Sequence, residues 1–177
     1  MLTLVLGGAR SGKSSYAQSL VAGRRAVYVA TARRDSDTEM RARIERHRRD
    51  RGDGWVTVEE PLDVSSVVRR ATPHDAPIVV DCITLWLSNL MEREARVPLR
   101  KQQEIILGTL RDFAEAAKHR EVIAVSNEVG SGIVPSTRVG RRFRDLQGRA
   151  NQLLAGEARQ VVFVVAGLPL QLKPERA

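Results

Sequence analysis

The sequence predicts an α/β fold with three layers, in which helices cover both faces of a mostly parallel β-sheet. Short runs rich in Val, Ile and Leu alternate along the 177 residues with segments whose apolar residues recur every three to four positions. The apolar runs are continuous, which is typical of strands covered on both faces. No long linker interrupts this alternation, so we expect residues 1–177 to form a single domain.

The individual elements follow from these patterns in chain order. The apolar runs predict strands at Leu2–Leu6, Ala26–Ala30, Trp55–Val58, Ile78–Asp81, Val122–Ser126 and Val161–Ala166, and Leu168–Lys173 is a candidate for a seventh. Helical spacing predicts one helix over Lys13–Ala22 and three more around Val64–Ala71, Ile106–Ala117 and Phe143–Leu153.

The charge of the chain indicates an anionic partner. The net charge is +8, which favours a nucleotide, a nucleic acid or a phosphorylated substrate. Aromatic residues make up only 4%, which argues against base stacking as the main mode of binding. The single cysteine, Cys82, excludes an internal disulfide and is expected to be a small buried residue. No apolar stretch is long enough for a signal peptide or a membrane span, so we expect a cytoplasmic protein.

Residues Gly7–Ser14, GGARSGKS, match the pattern G-x-x-x-x-G-K-[ST] between a predicted strand and a predicted helix. We call this segment the phosphate loop. Glycine permits the backbone angles at which successive N–H groups point towards phosphate oxygens. In such a loop Lys13 contacts the β- and γ-phosphates and the Ser14 hydroxyl binds Mg²⁺. Motif and context together predict a P-loop NTPase-type fold rather than a glycine turn with a chance lysine.

Asp81 ends the apolar run PIVVD. A carboxylate at the end of a buried strand is costly unless it has a partner. Asp81 is therefore a candidate for the second Mg²⁺-side ligand, binding the metal directly or through water. The alternative is that Asp81 caps the helix that follows.

A basic segment after the second predicted strand contains one histidine, His47. Within SDTEMRARIERHRRDR, a capping box of Ser36 and Glu39 predicts the start of a helix. Met40, Ile44 and His47 then fall on its inward face. His47 is either a neutral nucleophile held near a triphosphate by the surrounding arginines, or an inward packing residue. The other two histidines are predicted to be surface residues: His74 and His119.

Five blocks of sequence occur in a characteristic order: GGARSGKS, YVATA, EMRARIERH, DCITLWLSNL and SNEVGSGIVPSTRVGRRFRDLQGRANQLLA. In this order they resemble the bifunctional adenosylcobinamide kinase / adenosylcobinamide-phosphate guanylyltransferase family of cobalamin biosynthesis, over essentially the whole chain. The resemblance implies two activities. ATP or GTP first phosphorylates the aminopropanol hydroxyl of adenosylcobinamide. GTP then forms a guanylyl-histidine, which passes GMP to the phosphate and gives adenosylcobinamide-GDP and pyrophosphate.

The same resemblance implies roles for individual residues. The guanylylated histidine corresponds to His47, which would act together with Lys13. The nucleotide contacts carry over to Gly7, Gly8, Ala9, Arg10, Ser11, Gly12, Lys13, Ser14, Ala30, Thr31, Ala32, Arg48, Arg49, Asp50, Arg51 and Asp81, and to either Glu59 or Glu60. The implied ligands are GTP, ATP, Mg²⁺ and adenosylcobinamide or its phosphate. Relatives of this kind form homotrimers, so we expect a homotrimer here.

Two other classes of function are weighed against this one. The first is a simpler P-loop kinase in which His47 is structural. The second is a basic nucleic-acid-binding protein, but the arginines cluster around the predicted nucleotide site, so we expect no nucleic-acid partner. Gly130–Arg141 is predicted to be an ordered loop, which is either a wall of the corrinoid site or subunit interface, or a plain connection. Asn127 and Glu128 follow a predicted strand and are expected to face the site.

Overall fold

The computed structural model describes residues 1–33 and 54–174. Within these residues the strands are β1 (Leu2–Gly7), β2 (Ala26–Ala30), β3 (Trp55–Glu59), β4 (Ile78–Asp81), β5 (Val122–Asn127), β6 (Gln160–Val165) and β7 (Leu168–Lys173). The helices are α1 (Lys13–Ser19), α2 (Val64–Arg70), α3 (Ile83–Arg93), α4 (Leu99–Ala117) and α5 (Arg138–Glu157). The candidate seventh strand is thus confirmed.

The seven strands form one sheet in the order β3-β2-β4-β5-β1-β6-β7. All neighbours pair in parallel except β6 and β7, which are antiparallel. The predicted α/β fold with a mostly parallel sheet is confirmed. Because the carboxyl ends of parallel strands share one edge, the ends of β1, β5, β4, β2 and β3 lie side by side there.

Helices cover the two faces of the sheet unequally among the described residues. On one face α2, α3, α4 and α5 pack over a large buried cluster, which includes Leu4 and Trp86. The rings of Trp86 and Phe113 meet edge to face at 5.4 Å. On the other face α1 packs over a smaller cluster, which includes Ala17 and Val125. We call these the α5 face and the α1 face.

Several element ends differ from the sequence prediction for local reasons. The first helix ends at Ser19 and not at Ala22, because the chain continues in tight turns that lead to Gly23 at φ 76°. Strand β6 ends at Val165, because Ala166 and Gly167 both adopt positive φ in a two-residue hairpin turn. Helix α5 begins at Arg138, so the final residues of the predicted Gly130–Arg141 loop are helical.

The prediction that the six apolar runs form strands covered on both faces is wrong for β3, and the added strand β7 is also exposed. Strand β3 ends one edge of the sheet, and Val56 is 48% exposed there. Strand β7 forms the other edge and exposes three alternating leucines: Leu168, Leu170 and Leu172. An edge strand lacks a neighbour on one side, so fewer helices are available to cover its side chains.

Cys82 is buried, as predicted, and begins α3. Its sulfur accepts a hydrogen bond from Leu85 N at 3.5 Å. Burial, and secondarily the nearby Asp81 carboxylate, raises the pKa of the Cys82 thiol to about 12. His74 and His119 are both exposed, as predicted. None of the helices in the described part of the chain is long and apolar enough to cross a membrane.

Candidate active site

The phosphate loop joins β1 directly to α1, as the motif requires. Two of its residues adopt left-handed backbone angles, Arg10 at φ 57° and Gly12 at φ 95°. These angles curl the chain around the position that a phosphate would occupy. Lys13 is 4% exposed, and its Nζ donates a hydrogen bond to the Gly8 carbonyl at 3.0 Å. The lysine therefore lies against the loop from which it would contact phosphate oxygens.

The loop packs closely against β6 and the hairpin turn that follows it. Gly167 N donates to the Ser11 carbonyl at 2.8 Å. A Cβ placed on Gly7 would lie 2.4 Å from Ser11 Oγ and 2.6 Å from the Val164 carbonyl oxygen. Only glycine fits at this position, because both the loop itself and the neighbouring strand β6 leave no room for a side chain.

Two carboxylates lie on the α1 face at the carboxyl ends of their strands. Ala30 pairs with Asp81 on β4 and with Glu59 on β3, so the three residues form one row. Tyr28 and Trp55 pack on the α1 face, and side chains alternate along a strand, so Asp81 and Glu59 share that face. Tyr28 Oη donates a hydrogen bond to Asp81 Oδ2 at 2.8 Å. This bond fixes the orientation of the carboxylate.

The alternative role for Asp81, that of a helix cap, is wrong. Helix α3 has Cys82 as its N-cap, and the Cys82 sulfur accepts the capping hydrogen bond. The carboxylate of Asp81 is instead bonded to Tyr28 on the neighbouring strand. Among residues 1–33 and 54–174, Tyr28 binds Oδ2 of Asp81 and leaves Oδ1 for other ligands.

The structure separates the two glutamates that the sequence left undecided. Glu60 Oε1 accepts hydrogen bonds from Leu62 N at 2.9 Å and Asp63 N at 2.8 Å, so it orders the turn before α2. Glu59 faces the same side as Asp81 at the end of β3. Which of the two contacts a nucleotide stays a prediction.

Thr31 is fully buried, and its polar groups bind within the protein. Its hydroxyl donates to the Cys82 carbonyl at 2.8 Å and accepts from Cys82 N at 2.9 Å. Its own N–H donates to Asp81 O, and its carbonyl accepts from Asn89 Nδ2. Thr31 therefore ties the end of β2 to the start of α3. The direct nucleotide contact expected of Thr31 stays a prediction, as does that of Ala32.

The donor set of Ser14 and Asp81 suits Mg²⁺. Magnesium takes hard oxygen ligands and usually binds through one or two protein oxygens, with phosphates and waters completing its octahedron. The Ser14 hydroxyl in the first turn of α1 and the Asp81 carboxylate, which ends the second strand from β1, are oxygen donors of this kind. Groups of three or more His, Cys, Asp or Glu side chains able to hold a metal do not occur within residues 1–33 and 54–174. A site completed by nucleotide phosphates fits better than a dedicated protein cage.

The predicted covalent residue lies outside the described residues. His47 belongs to the segment 34–53, together with Arg48, Arg49, Asp50 and Arg51. Their roles stay predictions from the sequence. The described chain shows the two points between which this segment runs: residue 33, just after β2, and residue 54, at the start of β3.

Tyr28 is a site residue that the sequence analysis missed. The signal was available, because Tyr28 and Ala30 are two positions apart on one strand and therefore share a face. What the pattern lacked was the order of strands, which places β2 beside β4 and brings Tyr28 to Asp81.

A family model described as cobinamide kinase / cobinamide phosphate guanyltransferase matches residues 3–172. The chain belongs to this family. A relative from Pseudomonas aeruginosa, the bifunctional adenosylcobalamin biosynthesis protein CobP, is 41% identical over 177 residues, which is 99% of each chain. The bifunctional adenosylcobalamin biosynthesis protein CobU of Escherichia coli is 35% identical over 98% of this chain and 100% of its own length. The Salmonella typhimurium CobU is 36% identical with the same coverage.

The fold has a wider relationship. A solved structure of a prototypical ATPase from the type III secretion system of pathogenic bacteria matches 96% of this chain and 56% of the ATPase chain, with a TM-score of 0.59. The sequences are only 10% identical, so this likeness concerns the fold alone. It agrees with the predicted P-loop NTPase-type architecture.

Proposed function

We propose that this member of the cobinamide kinase / cobinamide phosphate guanyltransferase family carries out both reactions of its family name at the site around the phosphate loop. The first is phosphorylation of the aminopropanol hydroxyl of adenosylcobinamide by ATP or GTP. The second is transfer of GMP from GTP through a guanylyl-histidine at His47, which gives adenosylcobinamide-GDP and pyrophosphate. The observation that supports the proposal is that Asp81 and Glu59 end parallel strands at the same edge of the sheet at which β1 leads into the phosphate loop and Lys13.

The kinase step needs little beyond positioning and positive charge, because phosphoryl transfer involves little covalent chemistry for the protein to perform. Lys13 would contact the β- and γ-phosphates from the phosphate loop. Mg²⁺, held by Ser14 and Asp81 when bound, would neutralise charge that develops on those phosphates. Glu59, at the end of β3, would contact the nucleotide on the side away from Lys13. The bond between Tyr28 and Asp81 supports this arrangement by fixing the carboxylate.

The second step would proceed by covalent catalysis. A neutral imidazole nitrogen of His47 attacks the α-phosphorus of GTP, a P–N bond forms, and pyrophosphate leaves with the electrons of the broken P–O bond. A phosphate oxygen of adenosylcobinamide phosphate then attacks the same phosphorus, and the P–N bond breaks. One difficult transfer becomes two easier ones. The arginines near His47 in the sequence would lower its pKa and keep the imidazole neutral.

Labelling with [α-³²P]GTP and Mg²⁺ tests the covalent step. We expect the wild-type protein to acquire acid-labile, alkali-stable label, and His47→Ala to acquire none. His119→Ala is the matched control, because His119 is exposed at the end of α4 and is expected to leave labelling unchanged. Failure of the wild type to become labelled, while it still phosphorylates adenosylcobinamide, would show a simple P-loop kinase instead.

Three further expectations belong to the same proposal. The whole chain would act as one nucleotide-binding domain, located in the cytoplasm. It would assemble as a homotrimer, as the family resemblance implies. Light scattering coupled to size-exclusion chromatography would then give three times the mass of one chain, whereas a monomer mass would contradict the expectation.

A further inference from the structure

The end of β5 occupies a central position in the proposed site. In the sheet β5 lies between β1, which leads into the phosphate loop, and β4, which ends in Asp81. Asn127 pairs with Gly7, the first residue of the phosphate loop. Asp81 pairs with Val125, two residues earlier on β5. A strand rises about 3.3 Å per residue, so Asn127 extends roughly 7 Å beyond the level of Asp81.

Alternation along β5 places the Asn127 side chain on the same face as Asp81. Ser126 belongs to the α5 face, because its hydroxyl is hydrogen bonded to side chains of α5. Val125 packs on the α1 face, and Asn127 is two residues further on, so Asn127 shares that face. The site is therefore bounded by the phosphate loop on one side, Asp81 on the other, and Asn127 at the strand between them.

A buried set of polar side chains holds Asn127 from behind the sheet. Ser126, Gln147 and Asn151, which we call the β5–α5 network, are all nearly or fully buried. Ser126 Oγ donates to Asn151 Oδ1 at 2.7 Å, and Gln147 Nε2 donates to both partners at 3.0 Å. The network reaches Asn127 through Asn151 Nδ2, which donates to the Asn127 carbonyl at 3.0 Å.

A second contact completes the attachment of this residue. The Asn127 N–H donates to Thr84 Oγ1 at 2.9 Å, on α3. Both backbone polar groups of Asn127 are thus bonded to side chains from different helices. Its side-chain amide, in contrast, forms no hydrogen bond with residues 1–33 or 54–174. Buried polar networks hold the groups that they join in a defined geometry.

We propose that the Asn127 side-chain amide contacts the γ-phosphate during the kinase step, and that the β5–α5 network and Thr84 position it there. This inference rests on the proposed kinase activity. In that step the substrate hydroxyl oxygen forms a bond to the γ-phosphorus, the bond from that phosphorus to the β–γ bridging oxygen breaks, and the nucleoside diphosphate leaves with the electron pair. The hydroxyl proton passes to solvent. Asn127 donates a hydrogen bond to a γ-phosphate oxygen, gains and loses no proton, and stabilises charge that spreads over those oxygens.

Asn127→Ala tests the contact. Loss of one preorganised donor is expected to lower kcat for phosphorylation of adenosylcobinamide about 100-fold, with KM for ATP changed by no more than about 3-fold. Labelling of His47 by [α-³²P]GTP should be lowered much less than the kinase kcat, because the bond that breaks in that reaction lies at the α-phosphorus and the γ-phosphate only departs within pyrophosphate. Retained labelling also shows that the variant is folded.

Asn151→Ala tests the positioning role, with Gln102→Ala as the matched control. Both residues are buried amides that donate to backbone carbonyls, but the hydrogen bonds of Gln102 join it to Met91, Glu94 and Arg142 and not to Asn127. Both variants should lose similar thermal stability. Only Asn151→Ala should lower the kinase kcat, by about 10-fold with little change in KM, while Gln102→Ala stays within about 2-fold.

The outcomes separate this inference from the proposed function. A wild-type protein that phosphorylates adenosylcobinamide, together with an Asn127→Ala variant of unchanged kcat, overturns the contact and leaves the function intact. Equal kcat values for Asn151→Ala and Gln102→Ala overturn the positioning role. Absence of phosphorylation by the wild type refutes the proposed kinase activity itself, and the inference with it.

Discussion

Replacing Gly7 by alanine introduces a methyl group where the phosphate loop and β6 leave no space. The new Cβ would lie 2.4 Å from Ser11 Oγ and 2.6 Å from the Val164 carbonyl oxygen. The serine hydroxyl can rotate away, but the carbonyl belongs to the backbone of a paired strand. The loop must therefore move away from β6, and it carries Lys13 with it.

The contact distances set the size of the effect. An ordinary carbon–oxygen contact is longer than 2.6 Å by several tenths of an ångström, and forced insertion of a methyl group into packed structure typically costs about 1–3 kcal/mol. For a domain of this size each 1 kcal/mol lowers Tm by about 2–4 °C, so a cost of about 2 kcal/mol corresponds to roughly 4–8 °C. Displacement of the loop should also weaken nucleotide binding, by about 10-fold or more if one phosphate hydrogen bond is lost.

Thermal unfolding and titration with a fluorescent GTP analogue measure the two effects. Gly108→Ala is the control, because it is the same chemical change inside α4, where a Cβ meets no atom within 4 Å. It should raise stability by about 0.5–1 kcal/mol and leave binding unchanged. In the double variant with Ser11→Gly, only part of the loss should be recovered, because the contact with Val164 remains. A Gly7→Ala protein with wild-type Tm and wild-type affinity would refute this reasoning.

Three other predictions follow from contacts already described. Arg120 is 5% exposed, and its guanidinium donates to four backbone carbonyls. Arg120→Met should therefore lower the free energy of unfolding by about 2–4 kcal/mol in urea unfolding. Arg69→Ala removes an exposed ion pair and a long hydrogen bond to the Asp112 carbonyl, and it should cost less than about 1 kcal/mol. Because the pKa of Cys82 is raised to about 12, iodoacetamide should not label the native protein at pH 8. The stabilisation that folding gains from keeping the Cys82 thiol neutral is complete below the pKa of the thiol in the unfolded chain, near 8.5, and is lost as pH rises towards about 12. A free energy of unfolding that stays constant from about pH 8 to 12 would contradict this expected pH dependence. Tyr28→Phe removes the hydrogen bond to Asp81 and should raise the Mg²⁺ concentration for half-maximal kinase activity about 10-fold. If that concentration is unchanged, the hydrogen bond does not contribute to metal binding.

The phosphate loop and Asp81 could be predicted from the sequence because their signals are local. Gly7 and Gly12 meet steric needs within a few residues of each other, and Asp81 is marked by the apolar run that it ends. The same locality explains why most strand and helix positions agree with the structure. Periodicity is a property of neighbouring residues and needs no knowledge of the fold.

The supporting contacts could not be predicted, because they join distant parts of the chain. Tyr28 and Asp81 are 53 positions apart, and Asn127 and Asn151 are 24 apart. These pairs meet only because β2 lies beside β4 and α5 packs behind β5, and the sequence pattern does not encode that order. The exposure of Val56 has the same origin, since β3 becomes an edge strand only in this order of strands.

The hydrogen bond from Gly167 N to the Ser11 carbonyl makes the hairpin turn between β6 and β7 a reporter of nucleotide binding in the phosphate loop. A backbone amide is protected from exchange with solvent deuterium for as long as its hydrogen bond persists. When the phosphate loop tightens around a nucleotide, the lifetime of this bond should change, and the exchange rate of the Gly167 amide should change with it. Ligand occupancy could then be followed at the opposite end of the sequence from the loop, with no label or substitution near the nucleotide.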